Sequence, residues 1–133
     1  MRFKNEQHKS RFMKTIKRMD QKNPTQMAVA FLLTAEKKLW DSCRIYIISN
    51  EIPIYRIRVK RCSENGYVLF CAAKDIALGT KYVSMNDLVD RDIVSSEIWH
   101  LIFTALEIKR FGVGIVVPQR IDNKKKREVK RNE

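Results

Sequence analysis

Seven consecutive apolar residues, from Met27 to Leu33, are the feature of the sequence that most restricts the fold. Asn23 and Pro24 precede them, and this pair is typical of a helix N-terminus, with asparagine as the cap and proline at the first helical position. A helix that is apolar on every side has no face to turn toward water. We therefore expect this helix to lie at the centre of the hydrophobic core.

The length of 133 residues suits one domain, and a hydrophobic content of 44% is enough to fill its core. No apolar run approaches the ~20 residues that a membrane span needs. Charged residues recur as far as Lys22, so no signal-peptide core follows the basic N-terminus. Three widely spaced cysteines (Cys43, Cys62 and Cys71) do not form a disulfide framework. These features predict a cytoplasmic protein that does not contact membranes.

The excess positive charge is concentrated at the two ends of the chain. Lysine and arginine total 27 against 15 aspartates and glutamates, a net charge of +12. Residues 1–22 carry a net +6, residues 23–118 only +2, and residues 119–133 a net +4. This distribution favours an anionic partner over a chemical reaction.

The C-terminal residues 119–133 contain only two aliphatic side chains, too few to offset the entropy of ordering them. With Pro118 as the boundary, we expect a globular domain over residues 1–118 and a flexible basic tail over 119–133. Such a tail binds phosphates by counterion release. The alternative is a tail that only adds solubility. Its candidate phosphate contacts are Lys124, Lys125, Lys126 and Arg127.

The N-terminal stretch 5–21 has the pattern of a basic amphipathic helix, capped by Asn5. Its apolar residues fall on one side, and its cations follow one another three or four residues apart on a different side. The alternative to an anion-binding surface is an ordinary solvated face. His8 is expected to be solvated in this helix. The candidate nucleic-acid contacts here are Arg11, Lys14, Arg18 and Lys22.

Residues 53–61 are predicted to form a β-strand, because packing and cationic residues alternate from position 55 to position 60. The strand would present three cations on one face and three packing residues on the other. The alternative role is an edge strand whose charges discourage aggregation. The packing residues are Tyr55, Ile57 and Val59, and the candidate nucleic-acid contacts are Arg56, Arg58 and Lys60.

Two tyrosines, Tyr55 and Tyr67, flank this cationic segment in the sequence. Single-stranded nucleic acids bind where bases stack on aromatic rings beside cationic tracks. The alternation, however, places Tyr55 on the face opposite Arg56. The sequence therefore gives only weak support for base stacking.

The remaining chain predicts several helices and two short strands. A helix follows Thr34 to about Ser49, or continues from the preceding helix. Residues 63–78 form either a hairpin or a helix; the alanine-rich composition favours the helix, with Gly79 after its end. Further helices are expected over 85–89 and from Ser95 or Ser96 to Phe111, with short strands at 81–83 and 113–117. The predicted fold class is α+β: a helix-dominated single domain with a small antiparallel sheet.

No combination of residues predicts catalysis, a metal site or a cofactor. Asp87, Asp90 and Asp92 lack the glycine and the glutamate of an EF-hand loop. Cys62, Cys71 and His100 lack zinc-ligand spacing. Residues 84–111 allow a helix-turn-helix, but Glu97 would face phosphates and no arginine is placed to read guanine; two ordinary packed helices are the stronger interpretation.

Two stretches resemble an uncharacterised family of small proteins that phages and conjugative elements of Gram-positive bacteria encode. One is Ala28–Ala35 followed by Leu39 and Trp40; the other combines residues 72–76, Gly79, and residues 86–88 and 105–112. The resemblance covers residues 3–114 and brings no catalytic residues. It implies an accessory protein of a mobile element, and this context favours an inhibitor of a host defence complex.

The expected function is therefore that of a non-enzymatic, cationic protein that binds nucleic acid or a nucleoprotein complex. Its cations would contact phosphates and position the ligand without reading sequence. The alternative is a protein-binding inhibitor of a host defence nuclease, similar in role to an anti-CRISPR protein. Most of its binding energy would come from a few aromatic or arginine anchors.

Overall fold

A computed structural model describes residues 2–48 and 50–117. Six α-helices follow one another along this part of the chain: α1 (Glu6–Ile16), α2 (Pro24–Leu33), α3 (Lys37–Cys43), α4 (Glu64–Leu78), α5 (Met85–Val89) and α6 (Ser96–Phe111). Three short 3₁₀ helices, Arg44–Tyr46, Ile54–Arg56 and Val113–Ile115, complete the regular structure. None of these helices is both long and apolar enough to cross a membrane. Pro118 and the predicted tail, including Lys124, Lys125, Lys126 and Arg127, lie outside the described residues.

Helix α2 lies at the centre of the core, as its apolar run predicts. All seven residues from Met27 to Leu33 are fully buried, and α1, α3, α4 and α6 pack around them. The Asn23 side chain caps the helix by accepting a hydrogen bond from the Gln26 N–H at 3.1 Å. Because α2 is buried on all sides, the surrounding helices pack into one hydrophobic core around it.

The prediction that His8 is solvated was wrong, because the ring is fully buried beside Phe31. Its Nδ1 accepts a hydrogen bond from the Lys4 N–H at 2.9 Å, so its Nε2–H donates to the Phe31 carbonyl at 2.7 Å. Burial, reinforced by the charges of Arg11 and Lys4, lowers the pKa of His8 to about 4, and the ring is neutral. His8 therefore joins α1 to α2.

Helix α1 is shorter than predicted and ends at Ile16. Beyond it, the backbone N–H groups of Arg18 and Met19 bond three residues back in a tightening turn, and the Gln21 amide donates to the Ile16 carbonyl at 3.2 Å. This turn inserts Met19 into the core. The predicted single helical face of four cations is thus cut after Lys14.

The predicted antiparallel sheet is wrong: residues 2–48 and 50–117 form an all-α fold without a β-strand. An isolated bridge between Ile48 and Glu51 is the nearest approach to a ladder. The Gln26 side chain accepts from the Ile52 N–H at 2.8 Å and donates to its carbonyl at 3.1 Å, which fixes the chain on α2. Ile54 and Ile57 are then buried three residues apart through a 3₁₀ turn, a spacing that a strand cannot provide.

The ambiguous segment 63–78 is a helix. The Ser63 hydroxyl caps α4 by accepting from the Gly66 N–H at 3.0 Å, and Gly79 ends it in the left-handed conformation at φ +73°. The predicted strand 81–83 is wrong because the Asp75 carboxylate binds that stretch as a loop, accepting from the N–H groups of Tyr82 and Val83, both at 2.8 Å.

At the C-terminal end of the domain, Ser95 caps α6, which runs to Phe111 as predicted. The strand predicted over 113–117 is wrong, because a 3₁₀ helix follows Gly112. This turn packs against α6 and α2. The short helix α5 begins with a capping box between Ser84 and Asp87.

Candidate nucleic-acid interface

A surface groove of about 880 Å³ separates the C-terminal part of α1 and the turn after it from α3 and the 3₁₀ helix that follows. Six cationic side chains and a single carboxylate, Asp41, line this groove. Six positive charges against one negative charge leave a net +5 in one concave surface. We call it the α1–α3 groove; its cations are Arg11, Lys14, Lys17, Arg18, Lys37 and Arg44.

The one carboxylate of the groove is held by two of its cations. Lys37 donates to Asp41 at 3.0 Å, and the Arg44 Nε lies 3.7 Å from the other carboxylate oxygen. The hydrogen bond from Lys37 is the main reason that the pKa of Asp41 lies below its ordinary value. Asp41 therefore remains ionised at neutral pH and offsets one charge on the α3 side.

Arg11 has a structural role that the sequence pattern does not indicate. Its Nε donates to the Thr34 carbonyl at 2.8 Å and one terminal nitrogen donates to the Ala35 carbonyl at 3.3 Å. These oxygens end α2, where a cation also offsets the negative end of the helix dipole. Burial lowers the pKa of this guanidinium, which nevertheless stays charged. Arg11 thus adds charge to the groove while joining α1 to α2.

The floor of the groove is apolar and offers no aromatic face. Trp40 and Met19 line it, but each is only 9% exposed, and Ile47 is half-buried. A nucleic-acid base needs an exposed ring for stacking. The groove therefore provides cationic donors for phosphate oxygens and no stacking platform.

Four ion pairs occur among the described residues, and they engage Arg2, Lys4, Lys37 and Arg44. The pairs of Arg2 and Lys4 lie against α6, away from the groove. Lys14, Lys17 and Arg18, which we call the α1 wall, take no part in these pairs. The cations of residues 56–61 take no part in them either. These cations are thus left available for an anion.

Three of the four predicted N-terminal contact residues line the groove, and the fourth does not. Lys14 and Arg18 line the groove together with Arg11. Lys22 does not line it, because α1 ends at Ile16 and the chain turns away before reaching this residue. Lys22 is exposed in that turn, where its N–H donates to the Asp20 carboxylate at 3.0 Å.

The second predicted cationic face lies on a loop rather than on a strand. Arg56, Arg58 and Lys60 are all exposed, and the neighbouring Arg61 is exposed as well. The Tyr46 hydroxyl donates to the Arg58 carbonyl at 3.4 Å. We call residues 56–61 the cationic segment.

The cationic segment is also fixed to α3, since the Ser42 hydroxyl donates to the Arg61 carbonyl at 3.0 Å. Ser42 and Lys37 are five residues apart on α3, and at 100° per residue they point to different sides of it. The region formed by α3 and its 3₁₀ extension therefore contacts the cationic segment on one side and borders the groove on another.

Sequence reasoning missed Lys17, Lys37, Arg44 and Arg61 as members of this surface. Lys37, Asp41 and Arg44 are four and three residues apart, the spacing of side chains that share a helix face. That charged stripe was the available signal. It was overlooked because the apolar residues of α3, which pack against the core, dominated the pattern.

Within residues 2–48 and 50–117, no three of the histidine, cysteine, aspartate and glutamate side chains are grouped to hold a metal ion. Burial raises the pKa of the Cys43 thiol to about 12, which leaves it protonated and unreactive.

Comparison with known proteins returns no match among family models, curated proteins or solved structures.

Proposed function

We propose that this chain is a non-enzymatic, cationic protein that binds nucleic acid, free or within a nucleoprotein, by contacts to phosphates. The α1–α3 groove and the cationic segment supply these contacts. The observation that carries the proposal is the net +5 in one groove, where a single carboxylate faces six cations. Cations gathered on a concave surface raise the local concentration of an anionic ligand.

The chemistry of the surface favours binding to the backbone over base recognition. Lysine and arginine side chains donate to phosphate oxygens, which fix orientation but carry no sequence information. The one carboxylate that lines the groove, Asp41, is occupied by Lys37 and Arg44. We therefore expect binding with little sequence preference.

Salt dependence is the first test. If five groove cations other than Arg11 each contact a phosphate of duplex DNA, affinity falls about 500-fold between roughly 50 and 200 mM salt. Fluorescence anisotropy with labelled DNA and RNA of unrelated sequences measures this decline. Absence of binding at the lower salt concentration would refute the proposal.

Charge reversal on the α1 wall locates the site. The triple variant Lys14→Glu, Lys17→Glu and Arg18→Glu changes the net charge by −6 and is expected to weaken binding by roughly tenfold or more. Lys14 and Arg18 are exposed, as is Lys17, so the fold should tolerate the exchange.

A matched control applies the same change in charge elsewhere. Lys81, Arg91 and Arg110 are exposed and do not line the groove. Replacing these three by glutamate should weaken binding much less than reversing the α1 wall. Equal losses in the two triple variants would mean that net charge alone drives the interaction.

The biological setting belongs to the same proposal. The resemblance to small proteins of phages and conjugative elements supports an accessory protein of a mobile genetic element, acting in the bacterial cytoplasm. In that setting the ligand is the nucleic acid of the element, of the host or of a host nucleoprotein.

A second candidate function is inhibition of a host defence nuclease by direct protein binding. Ile45 and Ile48 are 73% and 62% exposed. They follow Arg44, which lines the α1–α3 groove, by one and four residues. Covering exposed aliphatic side chains with a protein surface stabilises a complex, whereas phosphate groups do not bury them in an apolar contact. These residues favour a protein partner that combines acidic and apolar groups.

The double variant Ile45→Ser and Ile48→Ser separates the two functions. If the chain inhibits target cleavage by a purified CRISPR effector through a protein contact, this variant should inhibit less and still bind nucleic acid normally. Lack of inhibition by the unmodified chain, or full inhibition by the variant, would count against the second candidate for that effector.

A further inference from the structure

Tyr55 is presented to solvent, contrary to the orientation that a strand imposes. It lies in the 3₁₀ helix Ile54–Arg56, where successive residues are about 120° apart. Ile54 takes the buried position, and Tyr55 is left 70% exposed next to the exposed Arg56. The predicted placement of Tyr55 on the face opposite Arg56 is therefore wrong, because both side chains are exposed.

Tyr67 is exposed at the other end of the cationic segment. It lies in the first turn of α4 and is 57% exposed. Together with Lys60 and Arg61 it lines a shallow surface pocket of about 680 Å³. Two carboxylates, Glu64 and Asp92, also border this pocket, so the nearest cations are partly offset there.

Between the two tyrosines, the cationic segment displays its charges outward. Ile57 is buried and anchors the loop, while Arg58 is exposed. The hydroxyl groups of Tyr46 and Ser42 hold its backbone in place. The order along the chain is thus an exposed aromatic ring, a run of exposed cations and a second exposed aromatic ring.

We propose that Tyr55 and Tyr67 are stacking platforms for the bases of a single-stranded nucleic acid whose phosphates follow the cationic segment. This inference rests on the proposed function, that the chain binds nucleic acid. Single strands have bases free to stack on exposed rings, whereas the bases of a duplex already stack on one another. The two tyrosines therefore give the chain a preference for single strands, which the α1–α3 groove alone does not provide.

A third exposed tyrosine supplies the control. Tyr82 is 56% exposed, but its ring is occupied by the Lys74 ammonium 5.5 Å from the ring centroid. It lies in the loop between α4 and α5, near the hydroxyl group of Tyr67. Tyr82 matches the other two in residue type and exposure, but its ring already carries a cation.

The test measures binding of labelled oligothymidylate and of a duplex of equal length by fluorescence anisotropy. Tyr55→Ala and Tyr67→Ala should each weaken single-strand binding by roughly fivefold or more and leave duplex binding unchanged. Tyr55→Phe and Tyr67→Phe, which keep the ring, should retain the affinity of the unmodified chain. Tyr82→Ala should bind both ligands normally.

The outcomes separate this inference from the proposed function. If both alanine variants bind oligothymidylate as tightly as the unmodified chain, while the charge reversal of the α1 wall abolishes binding, the stacking proposal is overturned and the phosphate-binding proposal stands. If the unmodified chain binds neither ligand at low salt, both proposals fail. Equal thermal unfolding of all variants establishes that a loss of binding is not a loss of fold.

Discussion

Acidification from pH 6.5 toward pH 4 should destabilise the fold, because the His8 ring is neutral in the folded chain and takes up a proton when the chain unfolds. The neutral ring is held between the Lys4 N–H and the Phe31 carbonyl. A proton on Nδ1 would break the first of these hydrogen bonds, because a protonated nitrogen cannot accept. Its pKa is about 4 in the folded chain, against an ordinary value of 6.5. The unfolded chain therefore binds more protons between these two values, so stability rises with pH in this range.

The size of the effect follows from the two pKa values of His8. The full difference between about 4 and 6.5 corresponds to roughly 3 kcal/mol. That contribution is complete above pH 6.5 and is lost progressively as the pH falls to 4. Between about pH 7 and about pH 5 the free energy of unfolding should fall by roughly 2 kcal/mol. Most carboxylates keep their charge in this interval, so His8 dominates the change.

Urea unfolding at about pH 7 and about pH 5, followed by circular dichroism, measures this loss. The variant His8→Gln has no titrating group at this position and should be less stable at both pH values, with a difference between them close to zero. A loss of less than about 0.5 kcal/mol in the unmodified chain would refute the argument. An equal pH dependence in His8→Gln would refute it as well.

Three further substitutions test the packing of the core and of the helix ends by urea unfolding. Arg11→Ala removes the side chain that donates to two backbone carbonyls at the end of α2, and should cost about 2 kcal/mol, whereas Lys14→Ala should change stability by less than about 0.5 kcal/mol. Gly79→Ala places a side chain in the left-handed region at φ +73° and should cost about 1 kcal/mol; a neutral result would contradict the assigned backbone conformation. Phe31→Ala empties a fully buried position in an aromatic cluster and should cost about 3–5 kcal/mol, and a cost below about 1 kcal/mol would mean that this ring is not in the core.

The central helix and the long helices were predictable because their signals are local. Met27–Leu33 is apolar on every side, and the cap at Asn23 is adjacent in sequence. Ser63 and Gly79 likewise bracket α4 by capping preferences that act over a few residues. Such features specify helices whatever the rest of the fold does.

The sheet was predicted wrongly because the pattern over residues 53–61 is decided by a distant contact. Alternation of apolar and cationic residues indicates a strand only if a second strand can accept its hydrogen bonds. Gln26, which binds both backbone groups of Ile52, directs this loop onto α2 instead. A contact between residues 26 positions apart cannot be read from local periodicity.

The candidate site was predictable in part. The cations of α1 stand out in the sequence, and Lys14 and Arg18 do line the groove. The residues of the opposite wall could not be predicted, because no local pattern indicates that α3 borders the same groove as α1. Lys22 was misplaced because the end of α1 is set by the burial of Met19 and not by helix propensity.

The salt dependence of DNA binding by a neutralised groove tests the central claim most directly. In the triple variant Lys14→Gln, Lys17→Gln and Arg18→Gln, the slope of log affinity against log salt concentration for duplex DNA should be smaller by about 2.7, because three phosphate contacts are lost. Anisotropy titrations at several salt concentrations give this slope for the variant and the unmodified chain. A slope equal to that of the unmodified chain would mean that these cations do not contact phosphates, and the groove would not be the binding site.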